Sequence, residues 1–184
     1  MHRICVFCGS SPGKSPEFAR AAAALGRLLA RERIELVTGG GKVGLMGVIA
    51  DAVLEAGGAV HGVIPHALVQ KELAHPGVTT QTIVDTMHQR KQQMADLSDG
   101  FIALPGGMGT LDELCEILSW AQLGMHSKPV VLLNVQGYFA GFLAQTAHAE
   151  AEGLLRPQHR AMQLVAEARV TSIRRLSGGT RRWT

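Results

Sequence analysis

The sequence predicts an α/β protein of one domain, with a parallel sheet covered by helices on both faces. Three observations carry this. Short apolar runs alternate with longer amphipathic ones, the rhythm of strand–helix–strand units. The apolar runs lack polar alternation, as in Val130-Val131-Leu132-Leu133, which suits strands buried on both faces. Three turns between a strand and the following helix are rich in Gly or Ser.

Residues 3–7 form the first strand. Ser15-Pro16 then opens a helix, Ser as N-cap and Pro in the first turn, that runs through an Ala-rich segment to residue 31. Residues 34–37 make a second strand, followed by Gly39-Gly40-Gly41 and a helix over 45–55 that Gly57-Gly58 stops. Residues 59–64 are a third strand, ended by Pro65. The stretch 66–78 is irregular, with room for a short helix. Residues 81–84 are a short strand, and Asp85 can cap a helix to residue 97. Residues 100–104 are a strand, followed by the Pro105 turn and a helix over 111–123. Residues 129–133 are another strand. A helix over 139–152 is stopped by Gly153, and Pro157 opens a last short helix.

A chain of 184 residues, 46% hydrophobic, can bury a core within one domain. Its 22 Gly, without Ser or Pro enrichment, point to tight turns and not to disorder. The net charge of +3 belongs to the C-terminal end. Residues 174–184 hold four Arg and no acid, leaving 14 basic against 15 acidic side chains elsewhere. Residues 1–173 therefore read as a near-neutral domain and 174–184 as a basic, flexible tail. No basic, aromatic-studded face supports a nucleic-acid partner. Neither a signal-peptide pattern nor a run of 18 apolar residues occurs, so no membrane partner is expected and the cytoplasm is the default compartment. Cys5 and Cys8, three strand residues apart, lie about 10 Å from each other on opposite faces, too far for a disulfide. They read as buried thiols. No second Cys pair or suitably spaced His pair completes a metal site, and His66, His75 and His88 read as surface or loop residues.

The three glycine turns are Cys8-Gly9-Ser10-Ser11, Thr38-Gly39-Gly40-Gly41-Lys42-Val43-Gly44 and Pro105-Gly106-Gly107-Met108-Gly109-Thr110. In a parallel sheet all three fall on the carboxyl edge, where ligands bind at the switch in strand order. Backbone N–H groups and helix starts there favour an anion, so a phosphate-bearing small molecule is the expected partner. Gly39-x-Gly41-x-x-Gly44 also matches the dinucleotide fingerprint. It follows the second strand instead of the first, however, and residues 61–71 lack the acidic residue a ribose would need. No Gly-Lys-Ser/Thr occurs, which argues against a P-loop.

Two features admit alternative readings. Thr110-x-x-Glu113 is a capping box by spacing, with Thr at N-cap and Glu at N3. The same carboxylate, beside a phosphate cradle, is also placed for chemistry. Glu116, one turn on, is expected to face solvent. On the helix 85–97, Met87, Arg90, Lys91 and Met94 fall at i, i+3, i+4 and i+7. The two cations either snorkel from a half-buried surface or clamp an anion.

Taken together, the segments 5–11, Gly39-Gly40-Gly41-x-x-Gly44-Leu45-Met46-Gly47, Met87-His88-x-Arg90-Lys91 and Pro105-Gly106-Gly107-x-Gly109-Thr110-x-x-Glu113 resemble the LONELY GUY family of cytokinin riboside 5′-monophosphate phosphoribohydrolases, whose members often carried a "lysine decarboxylase-like" label. The resemblance covers about residues 3–165. It implies a Rossmann-like fold, at least a dimer, a site near the subunit interface, and hydrolysis of an adenosine monophosphate derivative to free base and ribose 5-phosphate. No metal or redox cofactor is required. Carried over by motif, Arg90 and Glu113 are the catalytic pair. Gly107, Met108, Gly109 and Thr110 hold the phosphate, with Lys91 nearby, and Gly106, Leu111 and Asp112 are further substrate contacts. Gly9, Ser10, Gly40, Gly41, Gly44, Met46, Glu72, Met87, Glu116 and Ser119 complete the expected substrate contacts. Ser119 stands where Thr is commoner, and Ala140 where an Asp is common. Competing classes are a non-catalytic nucleotide carrier, for which the glycine turns alone suffice, and a pyridoxal-phosphate decarboxylase. The decarboxylase needs a Schiff-base Lys, for which only Lys42 and Lys91 lie near the proposed site.

Overall fold

The computed structural model describes residues 1–70 and 73–167. The expected tail 174–184 and the candidate Glu72 lie outside the described residues. Seven strands form one sheet in the order β4-β3-β2-β1-β5-β6-β7, every neighbouring pair parallel. They are β1 Arg3–Phe7, β2 Glu35–Thr38, β3 Val60–Pro65, β4 Thr80–Val84, β5 Gly100–Ala103, β6 Val130–Asn134 and β7 Gln163–Glu167. The helices are α1 Pro16–Arg31, α2 Gly44–Glu55, α3 His66–Val69, α4 Met87–Asp96, α5 Met108–Gln122, α6 Ala140–Ala151 and α7 Pro157–Arg160. The predicted architecture is the observed one. Strand order reverses between β1 and β5, which places the switch point between the first and third glycine turns.

The core has two halves, one on each face of the sheet. Leu25, Leu28, Ile49 and Val53 from α1 and α2 pack on Ile4, Val6 and Leu36. Met94, Leu114, Ile117 and Phe139 pack on the other face, against Cys5, Val37 and Phe101. Cys5 and Cys8 fall in opposite halves and both thiols are free and buried, as the strand period requires.

Three local expectations are corrected. The cap of α4 is Thr86, not Asp85: its hydroxyl accepts from the Gln89 N–H, and the Gln89 carboxamide oxygen accepts from the Thr86 N–H, a complete capping box. The third glycine helix begins at Met108, three residues earlier than expected, with Gly107 as N-cap. Strand β7 was not foreseen: its sequence QLVAE carries only two strongly apolar residues, and Val165 is exposed, as an edge strand allows.

Gly44 shows why the second glycine turn cannot accept a side chain. Its φ is +61°, and a Cβ would lie 2.2 Å from the Ser10 carbonyl carbon. The Leu45 N–H donates to the Gly9 carbonyl at 2.9 Å, so this close approach ties the first two turns together. Gly44→Ala is expected to destabilise the protein by about 2–4 kcal/mol, through left-handed strain plus a backbone clash. Urea unfolding measures it, and a loss below 0.5 kcal/mol, the ordinary size of a neutral surface change, would contradict this account.

Candidate active site

The three glycine turns meet around one cavity of about 350 Å³ at the carboxyl edge. Gly9 and Ser10 come from the first turn, Gly39, Gly41 and Val43 from the second, and Gly107, Met108, Gly109 and Thr110 from the third. Met46, Ile64, Leu68 and Leu73 add apolar wall, and Arg90 and Glu113 face each other within it. Sequence reasoning overlooked Val43, Ile64, Leu68 and Leu73, because apolar residues on a loop or at a strand end carry no chemical signature.

Helix starts in this fold fall into two groups, those with a side-chain cap and those without, and α3, α6 and α7 belong to the second. Ser15 caps α1 and Thr86 caps α4 through their hydroxyls. The two helices that open on glycine turns, α2 and α5, have no side-chain cap, and their N-cap residues Val43 and Gly107 both line the cavity. In α2 the Leu45 N–H is taken by the Gly9 carbonyl, whereas the uncapped first turn of α5, at the positive end of its helix dipole, suits an anion.

This start also decides between the readings of Glu113. With Gly107 as N-cap, Thr110 is at N3 and Glu113 lies a full turn inside α5. The capping-box reading is therefore wrong. Glu113 is 9% exposed, and burial pushes its carboxyl up to about 7, against the lowering effect of Arg90. A carboxyl that titrates near neutrality inside a cavity is suited to proton transfer or charge stabilisation.

Arg90 is 7% exposed. Its Nε donates to the Val63 carbonyl and its Nη2 to the Gly39 carbonyl, each at 3.1 Å, while Nη1 lies 3.9 Å from Glu113 Oε1. The guanidinium is thus fixed to the ends of β2 and β3, where its planar fork satisfies two carbonyls and still faces the carboxylate. Gly39 makes room for it, since a Cβ there would fall 1.6 Å from Nη2. The snorkelling alternative fails for Arg90. Met94 is buried in the core, and Met87 is 44% exposed with its sulfur 3.9 Å from Arg90 Nη1.

Other expected contacts lie elsewhere. Lys91 Nζ pairs with Asp112 Oδ2 at 3.0 Å and Glu116 Oε1 at 3.1 Å, so Glu116 is half-buried in an ion pair instead of facing solvent. Ser119 is exposed and donates to the Cys115 carbonyl within its own helix. Gly40, Gly44, Met87, Lys91, Gly106, Leu111, Asp112, Glu116 and Ser119 are outside the cavity wall. Gly40 and Gly44 shape the second turn, and Leu111 packs on the core. His75 lies in a loop, as expected, but is buried there, with Nε2 3.0 Å from Asp51 Oδ1 and Nδ1 accepting from the Gly77 N–H.

Tyr138 was missed entirely. Its hydroxyl donates to the Gly106 carbonyl at 2.5 Å, and its ring packs edge-on against Phe18 and Phe139. It braces the third glycine turn from the far side, in a smaller cavity that shares Gly9, Ser10 and Gly107 with the first. Tyr138→Phe removes one hydrogen bond, and is expected to raise KM for a phosphate-bearing substrate about 2- to 10-fold with kcat little changed. Steady-state kinetics checks it.

Fold and cavity together define a doubly wound α/β protein with a glycine-rimmed, carboxylate-bearing cavity at the switch point of its sheet. Comparison with known proteins narrows this class. A family described as "Possible lysine decarboxylase" matches residues 46–176. A cytokinin riboside 5′-monophosphate phosphoribohydrolase of Arabidopsis thaliana is 52% identical over 86% of this chain and 73% of its own length. One of Rhodococcoides fascians is 46% identical over 89% and 83%. Among solved structures, a molybdenum cofactor carrier protein from Chlamydomonas reinhardtii aligns with a TM-score of 0.70 at 25% identity, covering 95% of this chain and 94% of that one. The chain belongs to the LONELY GUY family of cytokinin riboside 5′-monophosphate phosphoribohydrolases. The decarboxylase label fits the site poorly: none of the described residues lining the cavity is a Lys, Lys91 is bound to two carboxylates and Lys42 is exposed.

Proposed function

We propose that this chain hydrolyses the N-glycosidic bond of N6-substituted adenosine 5′-monophosphates, releasing the free adenine-type base and ribose 5-phosphate. The observation that carries this is the buried Arg90–Glu113 pair in a cavity rimmed by glycine turns. Relatives named for that reaction at about half identity support it. The 5′-phosphate sits on the open helix starts around Gly107–Thr110, with Gly9 and Ser10 opposite. Cleavage develops positive charge on the ribose ring. Glu113, as carboxylate, stabilises that charge and orients or deprotonates the attacking water. Arg90, held by the Gly39 and Val63 carbonyls, keeps a positive charge beside Glu113 and offers Nη1 to the ribose or phosphate. Phosphate binding, remote from the broken bond, positions the sugar. Glu72, outside the described residues, remains a proposed nucleotide contact from motif alone.

Incubation with AMP and with isopentenyladenosine monophosphate, scored for free base and ribose 5-phosphate, tests the reading. A carrier, the reading that the molybdenum cofactor carrier fold favours, would bind nucleotide and release no base. The pH profile gives a second check. If the active form of Glu113 is the carboxylate, kcat/KM should fall as pH drops below about 7, the range its burial sets. A profile flat from pH 8 to 5 would remove Glu113 from the chemistry.

The same proposal includes a homodimer or higher homo-oligomer with the site near the interface. Met108 on the cavity wall, Met87 at the start of α4, and Leu123 and Met125 just past the end of α5 are all exposed, apolar surface that a second subunit would cover. Sedimentation measures the mass. No helix among the described residues is long and apolar enough to cross a membrane. A reducing, cytoplasmic setting suits the buried thiols Cys5 and Cys8.

A further inference from the structure

The face between α4 and α5 carries five charged groups within one turn of helix on each side. Arg90 and Lys91 come from α4, and Asp112, Glu113 and Glu116 from α5. Of the three carboxylates, Glu113 alone is turned into the cavity. Lys91 stands between the other two, within 3.1 Å of both, and its side chain is only 10% exposed. Its ammonium is therefore spoken for on two sides, and its position outside the cavity wall leaves it poorly placed to meet a phosphate.

We propose that Lys91 is a positioning residue: by pairing with Asp112 and Glu116 it cancels the two negative charges that flank Glu113, and so keeps Glu113 available as a carboxylate at neutral pH. This rests on the reading of Glu113 as the catalytic carboxylate. Every charged or titratable group facing Glu113 enters the balance. Arg90 and Lys91 favour its charge, while Asp112 and Glu116 oppose it. The thiols of Cys5 in β1 and Cys8 in the turn after it also face Glu113 but are neutral, because burial pushes both well up. Lys91 itself keeps its proton: burial works against the charge, but hydrogen bonds to Asp112 and Glu116 outweigh it and raise its pKa. Removing Lys91 deletes one attractive charge and exposes two repulsive ones, both of which disfavour the Glu113 carboxylate.

The test is the pH dependence of kcat/KM for AMP in four proteins: wild type, K91M, K91R and K91M/E116Q. Met preserves most of the length and apolar stem of Lys while removing its charge. K91M is expected to shift the acid limb upward by about 0.5–1 pH unit, the scale of one or two unit charges at short range in a partly solvated site. K91R should leave the limb where it is, and K91M/E116Q should move it back toward wild type. If K91M fails to fold, E116Q alone serves: it removes one repulsive carboxylate while Asp112 still holds Lys91, so the limb should move down. A limb unmoved in K91M, or a KM for AMP raised tenfold or more at unchanged limb position, overturns the proposal; the second result would make Lys91 a substrate ligand. The Glu113 carboxyl can also be followed by 13C NMR without substrate. Should the wild type release no base from any nucleotide, the functional reading fails, while the NMR titration still decides whether Lys91 controls Glu113.

Discussion

Glu113→Gln is expected to lower kcat on AMP or a prenylated AMP by about 10²–10⁴-fold, the range for removing a proton-transferring or charge-stabilising carboxylate, and at the same time to stabilise the fold above neutral pH. Gln has the same shape and cannot ionise. The second half of the expectation follows from the burial that sets the carboxyl near 7. Below the unfolded value of about 4.5, Glu113 is protonated in both states and burial carries no ionic penalty. Between about 4.5 and 7 the unfolded chain ionises while the folded one does not, and stability is lost with rising pH. Above about 7 the loss is complete, at about 3 kcal/mol as an upper figure. Glu113→Gln escapes this loss, so its gain over wild type should be small at pH 5 and reach about 1–3 kcal/mol at pH 8. Arg90 keeps its two carbonyl partners in the variant, which limits the cost of losing the carboxylate. Parallel thermal unfolding and kinetics at pH 5 and pH 8 read both effects. A variant that is inactive and also less stable at pH 8 would mean that Glu113 is a structural counter-ion of Arg90.

Removing the 5′-phosphate from the substrate is expected to lower kcat/KM by about 10³-fold or more, measured as adenosine against AMP. The first-turn N–H groups of α5 have no side-chain cap to satisfy them, and each charge-assisted hydrogen bond to phosphate contributes about 1.5–3 kcal/mol. Two or three such bonds supply the roughly 4 kcal/mol that a thousandfold requires. Because the phosphate is remote from the scissile bond, part of the loss should appear in kcat, as positioning is lost with it. Comparable turnover of the two substrates would place the anion site elsewhere.

Much of this molecule was legible in its sequence because the relevant signals are local. Strand and helix periods gave a parallel sheet, and β7 was missed where an exposed edge left the period weak. The glycine turns marked the carboxyl edge, since a backbone that must come within 2.2 Å of where a Cβ would sit, as Gly44 does beside Ser10, can be built only from glycine. The Ser15-Pro16 start of α1 was equally explicit. Thr86 and Thr110 show the limit. Both precede a Glu or Gln at the third following position, yet only Thr86 caps a helix, because α5 starts at Gly107 to form the cavity rim.

What the sequence by itself determined is thus the order of elements up to β7, the sheet edge on which the glycine turns gather, and the residue types found there. The tertiary structure decided which charges are isolated and which are matched. Glu113 and Glu116 are one turn apart on the same helix, and Arg90 and Lys91 are adjacent on another. Packing of α4 against α5 buries one carboxylate in the cavity opposite an anchored guanidinium and binds the other to Lys91. Ionisation depends on burial and on charges brought near from distant parts of the chain, and spacing along one helix carries neither.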